Sequence, residues 1–528
     1  MNVSELIQIL TGVTITSRSN GFWVGEVLIS KLTKVVDELI NCRTLTDGGL
    51  VGGELIGGGL TVSGLAGGGR SGGGLTGGGL TGGGLKLVKI FTEAPTGTLS
   101  VLLLYPETGE LVKLSSLVIS GQSYEGIFTV SPGAWWEERA VANRLEINPI
   151  GMWPKLLGER FPNVPVERSL ESYPPWRDYG QVPLQRNRGR ILAVKLDQHL
   201  PTREREELII GMSLDKALAV QGRRQPLRAI SLALSTVQAW ERLFENQLIE
   251  KRDFLSGDAI AWRVILLELE RLTRFLEVIM EIYRALGIFS LVALALELIE
   301  TIRQLLFLIC GNRFGLGAVV IFGVNITVGE TELKMIKVKL KEFEVDFNRL
   351  LKLGWYREEV QDRLEGLGSI TRVEALEYNL MGPIAKAVGL DFDTRRDDLQ
   401  VGFAVIKPHR FIRTNGDVVA RVEIMIDEIR DGLRLIRENL VAIKPTEPWD
   451  KSVLEKLRSL SGETAAGIET AAGTVFTWWK VEQGKIIQVE YGFPGRFNLP
   501  ALTLAAEGEK VGDLELILAS LIWRRGDL

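Results

Sequence analysis

Three long stretches, Asp215–Leu248, Gly257–Leu286 and Leu291–Leu308, place apolar residues at helical spacing one after another. On the last, Glu297, Glu300 and Arg303 form a polar stripe, and Gly311 with Gly315 punctuates its end. Further helical patterns run over Glu332–Leu353, Arg357–Leu364, Arg372–Met381 and Val418–Leu440. Stripes this long must bury against one another, so the later part of the chain reads as a helical bundle. The longest unbroken apolar run, Ala285 to Leu296, stops at Glu297. It is too short for a bilayer span, which needs about 20 residues.

The earlier part differs. A strand or turn and then a helix around Gly25–Ile40 are followed by short apolar runs at Leu87–Phe91, Leu99–Tyr105, Leu111–Ile119 and Gly126–Val130, which read as strands. A short helix is expected from Trp135 to about Leu145, and a Pro/Trp-rich connector from Pro149 to Pro183. The C-terminal stretch from Gly473 to Leu528 returns to short strands and a helix near Leu514–Ile522. The fold class is therefore an α+β N-terminal domain over residues 1–180, followed by a mainly α helical-bundle domain with small β elements over 181–528.

Residues 46–85 stand apart. Leucine recurs every five residues from Leu50 to Leu85, with Arg70 in one slot, and twenty of the chain's 58 glycines lie there. Two readings compete: a small β-solenoid with inward leucines, or a flexible insert in a surface loop. Eight pentads make only about two coils where solenoids need around three repeats, and glycine is costly to order, which favours the insert. A GGG run has neither the G-x-G-x-x-G nor the Gly-Lys-Ser/Thr pattern of a phosphate loop.

A net charge of −4 without a basic block gives no field for nucleic acid. Two cysteines, Cys42 and Cys310, and two histidines, His199 and His409, cannot supply the roughly four thiolates of an iron–sulfur cubane or a thiolate-bound Ni–Fe centre. No G-x-S-x-G or recognisable Ser/His/Asp arrangement exists, so no catalytic residue and no metal ligand is assigned. The N-terminus lacks the basic and apolar regions of a signal peptide, and the cysteine usage fits a reducing compartment.

Several segments, in order, resemble one family. Ser131-Pro132-Gly133-Ala134-Trp135-Trp136-Glu137-Glu138-Arg139-Ala140 and Pro175-Trp176-Arg177-Asp178-Tyr179 resemble the 30-kDa-type subunit of complex I. Arg203-Glu204-Arg205-Glu206-Glu207-Leu208 resembles the H-R-G-x-E-K-L motif of the 49-kDa-type quinone-site subunit and its relatives, the large subunits of group 4 [NiFe] hydrogenases. Arg263 through Leu272 resembles R-V-I-L-x-E-L-x-R-I. Gly366-Leu367-Gly368-Ser369-Ile370-Thr371 with Met381-Gly382-Pro383 resembles G-V-G-x-I-x … S-G-P. Gly389 to Asp397 is similar to G-x-x-W-D-L-R-R-D, Gly416 to Ile424 to G-D-x-x-x-R, and Phe497 to Leu502 to F-x-N-L-x-A-L. The collinear order implies a fusion of 30-kDa-type and 49-kDa-type subunits in one polypeptide.

The family's chemical determinants depart. Arg224-Gln225-Pro226-Leu227-Arg228 and Ser520-Leu521-Ile522-Trp523-Arg524-Arg525 stand where [NiFe] members carry their two CxxC pairs. Thr202 replaces the quinone-binding His of H-R-G, no Tyr occurs between Tyr179 and Tyr283, and Thr470-Ala471-Ala472-Gly473 replaces A-P-R-G. The resemblance implies cavity candidates His199, Thr202, Arg203, Glu206 and Arg228, and partner-contact candidates Arg395, Arg396 and Asp397, the latter with a solvated charge run as the alternative. Glu268, Glu270, Arg271 and Arg274 are spaced for helix ion pairs, with a proton or conformational relay as the functional alternative. Trp135, Trp136 and Trp176 read as packing aromatics.

The expectation is a non-metal-binding large subunit of a membrane-bound, hydrogenase-related or complex-I-like oxidoreductase. It would couple a small iron–sulfur subunit to membrane ion-translocating subunits from the cytoplasmic face, attached peripherally through those partners. It would bind no cofactor itself, the iron–sulfur cluster lying in a partner. The rival expectation is a remodelled cavity that still reduces a quinone or other diffusible acceptor beside a partner's cluster.

Overall fold

The computed structural model describes residues 13, 15–19, 22–40, 86–93, 98–105, 110–134, 137–138, 141–142, 145–151, 184–194, 207–247, 255–397, 403, 406–443 and 453–522. The Gly-Leu pentads, residues 152–183 of the Pro/Trp-rich connector with the expected boundary at residue 180, Cys42, Trp135, Trp136 and Trp176 lie outside the described residues, whereas the connector's first residues belong to a short strand, Asn148–Ile150, paired with Ser123–Glu125.

The N-terminal sheet comprises β1 (Ile15–Ser19), β2 (Phe22–Glu26), β3 (Lys86–Glu93), β4 (Thr98–Tyr105) and β5 (Glu110–Leu117) in the order β1-β2-β5-β4-β3. All neighbours are antiparallel except β2 and β5, which run parallel with Phe22 opposite Leu111. Helix α1 (Ile29–Ile40) makes the crossover's first half and lays Leu32, Val36 and Leu39 on one face, against Val101, Leu103, Val112 and Leu114. The alternate residues Leu102, Leu104, Leu111 and Val88 point the other way, onto Phe476 and Trp478. Burial on both faces explains why β4 reads as a continuous apolar run instead of an alternating one. Gly126–Val130, expected as a strand, forms a 3-10 turn over Ile127–Thr129, because the Glu138 carboxylate accepts from the amides of Ile127 (2.7 Å) and Phe128 (2.8 Å).

The helical body contains α2 (Leu214–Arg224), α3 (Ala229–Asn246), α4 (Gly257–Ala285), α5 (Phe289–Cys310), α6 (Glu330–Leu350) and α7 (Val418–Ala442). The single helix expected over Asp215–Leu248 is two, since Pro226 cannot donate a helical hydrogen bond and Pro226–Arg228 forms a 3-10 turn. Helix α4 starts on Ser256, whose side chain accepts from the Ala259 amide, and packs against α5 and α7 along the centre of the core. Gly432 on α7 permits that approach: a Cβ there would lie 2.5 Å from Leu272 Cδ1. Gly311 closes α5 at φ +71°, the left-handed cap that glycine adopts without a Cβ penalty.

A second sheet, β6 (Gly462–Thr470), β7 (Gly473–Glu482) and β8 (Lys485–Gly492), is antiparallel and joins the two regions. On one side Trp479 meets Trp240 of α3; on the other Trp478 packs on Phe91 at a ring separation of 4.7 Å. Lys113 of β5 is buried beneath Trp478, 2.9 Å from Glu93 and paired with Glu463 of β6. No helix among the described residues is long and apolar enough to cross a membrane.

Candidate functional site

The motif segments hold the interior together. Asp417 caps α7 by accepting from the Ala420 amide (2.8 Å), while its other oxygen accepts from the Gly366 amide (2.8 Å). The buried Arg421 donates to the carbonyls of Gly368 (3.0 Å) and Gly416 (2.7 Å) and to Ser520 Oγ (3.1 Å). Burial pushes its pKa down to about 10, partly offset by Asp417. Asn498 accepts from the Met381 amide (2.8 Å) and donates to the Ala472 carbonyl (3.1 Å), so it fixes the tight turn between β6 and β7.

Behind that turn lies a closed charge network. Arg395 Nη1 donates to Glu268 Oε1 (2.9 Å), and Nη2 donates to Asp393 Oδ2 (2.6 Å) and Glu428 Oε2 (2.8 Å). Arg271 bridges Glu268 (2.8 Å) and Glu428 (2.9 Å), and Lys386 bridges Asp393 (2.8 Å) and Glu428. Burial alone would raise the carboxyls, yet Arg395 and Lys386 hold Asp393 well below the usual range, and Lys386, Arg395 and Arg271 do the same for Glu428. Glu469, which accepts from Thr474 Oγ1 (2.6 Å), is raised by burial and by neighbouring Asp393.

In front of the network is a cavity of about 80 Å³. Its walls are the Pro226–Arg228 turn, Glu270 to Glu277 on α4, Arg303 and Leu306 on α5, the Arg313–Phe314 loop and the Thr470–Ala472 turn. The break at Pro226 thus delivers Arg228 to the site, its guanidinium 5.2 Å over the Phe493 ring. Glu270 accepts from the amides of Ile230 (2.9 Å) and Ser231 (3.2 Å) at the start of α3. Burial pushes its carboxyl up to about 7, against the pull of Ser231, the Ile230 amide and Arg228.

Two of the segments that replace the family's reactive motifs, Pro226–Arg228 and Thr470–Ala472, therefore meet at one cavity. The residues there do not fit a thiolate-held metal: neither segment carries Cys, and among the described residues no three His, Cys, Asp or Glu side chains group to hold an ion. Cys310 is a free thiol at the end of α5, raised to about 12 by burial.

Of the sequence-derived cavity candidates, Arg228 lines the site, while His199, Thr202, Arg203 and Glu206 lie outside the described residues. Arg395 is no surface contact: it is 1% exposed, drawn inward by three carboxylates. Arg396 is largely buried and paired with Asp391, and the Asp397 side chain lies outside the described residues. The expected helix pairing holds for Glu268 with Arg271; Glu270 instead caps α3, and Arg274 pairs with Glu277 at 3.0 Å. Sequence reasoning missed Arg313 as a site residue, saw Arg303 only as part of a polar stripe, and placed Arg274 in a helix ion-pair or relay group without linking it to the cavity. Nothing in their spacing joins them.

Comparison with known proteins sets this chain beside subunits of respiratory oxidoreductases. Residues 285–452 match the family described as respiratory-chain NADH dehydrogenase, 49 Kd subunit. The chain is 29% identical over 227 residues to an NADH-quinone oxidoreductase subunit of Clostridium beijerinckii, covering 42% of this chain and 60% of that protein. It is 25% identical to an NADH-quinone oxidoreductase subunit of Chloroherpeton thalassium, covering 54% of this chain and 68% of the relative. In fold it is similar to a chain of the membrane-bound sulfane sulfur reductase, an archaeal respiratory membrane complex, with a TM-score of 0.60 at 20% identity over 67% of this chain and 99% of the other. In sequence, then, the chain is similar to the 49-kDa-type subunits of complex I, and in fold to a chain of an archaeal respiratory membrane complex.

Proposed function

We propose that this chain is a coupling subunit of a membrane-associated respiratory complex. It links a small iron–sulfur subunit to ion-translocating membrane subunits and makes no metal bond itself. The N-terminal region is read as a 30-kDa-type subunit carried on the same polypeptide. One observation carries the reading. Arg271, Arg395 and Glu428 share one buried ion network and Asp417, Arg421 and Asn498 fasten the motif loops, while Arg224–Arg228 and Ser520–Arg525 stand where the resemblance puts the two thiolate pairs of metal-binding relatives. A scaffold kept rigid without its metal ligands serves transmission between neighbours, since buried ion networks of this kind fix geometry more than they add stability.

The test is purification of the complex from membranes through a tag on this chain, with metal analysis and subunit identification. Co-purification of an iron–sulfur protein and polytopic membrane subunits, with iron and without nickel, is the expected result. Stoichiometric nickel, or a chain recovered without membrane partners, refutes the assignment.

A further inference from the structure

We propose that the arginine-lined cavity is a binding site for a small dianion, either an oxyanion or a short dicarboxylate, and that Glu270 sets its affinity by gaining or losing a proton. The inference goes beyond the coupling role and concerns this chain's own ligand.

Five guanidinium groups from four separate segments, Arg228, Arg271, Arg274, Arg303 and Arg313, line the cavity, against two carboxylates, Glu270 and Glu277. Arg271 belongs to the internally balanced network with Glu268 and Glu428, Arg274 pairs with Glu277, and Arg313 reaches Glu300 at 2.8 Å. The Arg303 guanidinium lies 6.0 Å over the Phe314 ring and that of Arg228 over Phe493. An aromatic face orients the Arg303 guanidinium plane without using its N–H donors, which suits a fork that grips a planar or tetrahedral anion. At the floor, Arg271 Nε is buried and meets no hydrogen-bond acceptor among the described residues. A buried donor of that kind is costly unless something accepts from it.

The cavity is open at a rim that includes the half-exposed Leu227 and Arg313. At about 80 Å³ it suits a handful of heavy atoms. A site for a drug-sized molecule is larger, from roughly 300 Å³. Glu270 supplies the pH sensitivity. It faces the amides of Ile230 and Ser231 and the Arg228 charge on one side, with Arg271, Arg274 and Glu277 on its own helix, Arg303 and Arg313 opposite, and the uncharged Thr470–Ala472 turn closing the ring. Ionised, it repels a second anion; protonated, it leaves the arginines to the ligand. Its position near neutrality places the change in a physiological range.

The experiment is calorimetric titration of the purified full chain at low ionic strength with sulfate, and separately with malonate, at about pH 6 and about pH 8. Expected is saturable one-to-one binding of at least one probe, about tenfold or more weaker in Arg303→Gln or in the rim variant Arg313→Gln. The distant Arg363→Gln should leave it unchanged. Binding should tighten several-fold at the lower pH, and Glu270→Gln should abolish that dependence while still binding. Sulfate alone binding assigns an oxyanion site, and tighter malonate assigns a dicarboxylate site. No saturable binding of either probe, unchanged affinity in both arginine variants, or a pH effect surviving in Glu270→Gln overturns the proposal. None of these readouts requires partners or metal, so a failure here leaves the coupling role standing, and a failure of assembly leaves the anion site standing.

Discussion

Arg395 and Glu268 meet at 2.9 Å with both side chains essentially sealed from solvent, although 127 residues separate them. The pair ties the segment after Gly389 to the centre of α4, and Glu428 brings α7 into the same contact.

Removing one partner leaves the other charged and buried, so Arg395→Met is expected to cost about 3–5 kcal/mol. Urea unfolding measures it. The double variant Arg395→Met with Glu268→Gln should cost less than the sum of the single changes, because the second removes the charge that the first strands.

Glu270 has a folded-state pKa above its unfolded value, so the folded protein is favoured when the carboxyl is protonated. That contribution is fully present below about pH 4.5 and is lost as pH rises through about 7, amounting to roughly 3 kcal/mol. Glu270→Gln should abolish this loss and be more stable than the parent at about pH 8. Equal slopes of stability against pH in the two proteins between these limits would contradict the assignment.

Gly432 holds α7 close to α4, and an added methyl would meet Leu272 Cδ1 at 2.5 Å and Glu268 Oε2 at 3.0 Å. Gly432→Ala is expected to destabilise by about 1–3 kcal/mol despite alanine's better helix propensity. A rise in melting temperature would show that the helices separate freely there.

Lys113 lies between Glu93 and Glu463, joining the N-terminal sheet to β6. Burial raises Glu93, but Lys113 and the hydroxyls of Ser100 and Ser115 hold it below its ordinary value. This stabilisation is present above the unfolded pKa and lost as pH falls below about 4.5. Lys113→Met should weaken the protein above that pH and flatten its acid unfolding, read by circular dichroism across an acid titration.

Much of the helical body was legible because its stripes are long and their spacing unambiguous; α4 and α7 fall within a residue or two of their expected limits. Strand β6 was missed because Gly462, Ala465, Ala466 and Gly467 are poor strand formers, chosen for close packing against α3 instead. Arg395-Arg396 reads as a partner contact or a solvated charge run in sequence, since the carboxylates that draw Arg395 inward come from Glu268 and Glu428, far away along the chain. The cavity was legible only at Arg228 and the Thr470–Ala472 turn. Of its other arginines, Arg271, Arg274 and Arg303 sit on faces of α4 and α5 that look like ordinary polar stripes until the bundle closes around them, and Arg313 lies in the loop beyond α5.

The two-sided burial of β4 has a kinetic corollary. A strand covered by α1 on one face and by β7 residues on the other has no solvent-facing side through which to open locally. Its amides should exchange with deuterium only through the rarest excursions of the chain, in step with those of β7. The first sheet and the second would then release together as one cooperative unit, even though sequence separation suggests independent modules.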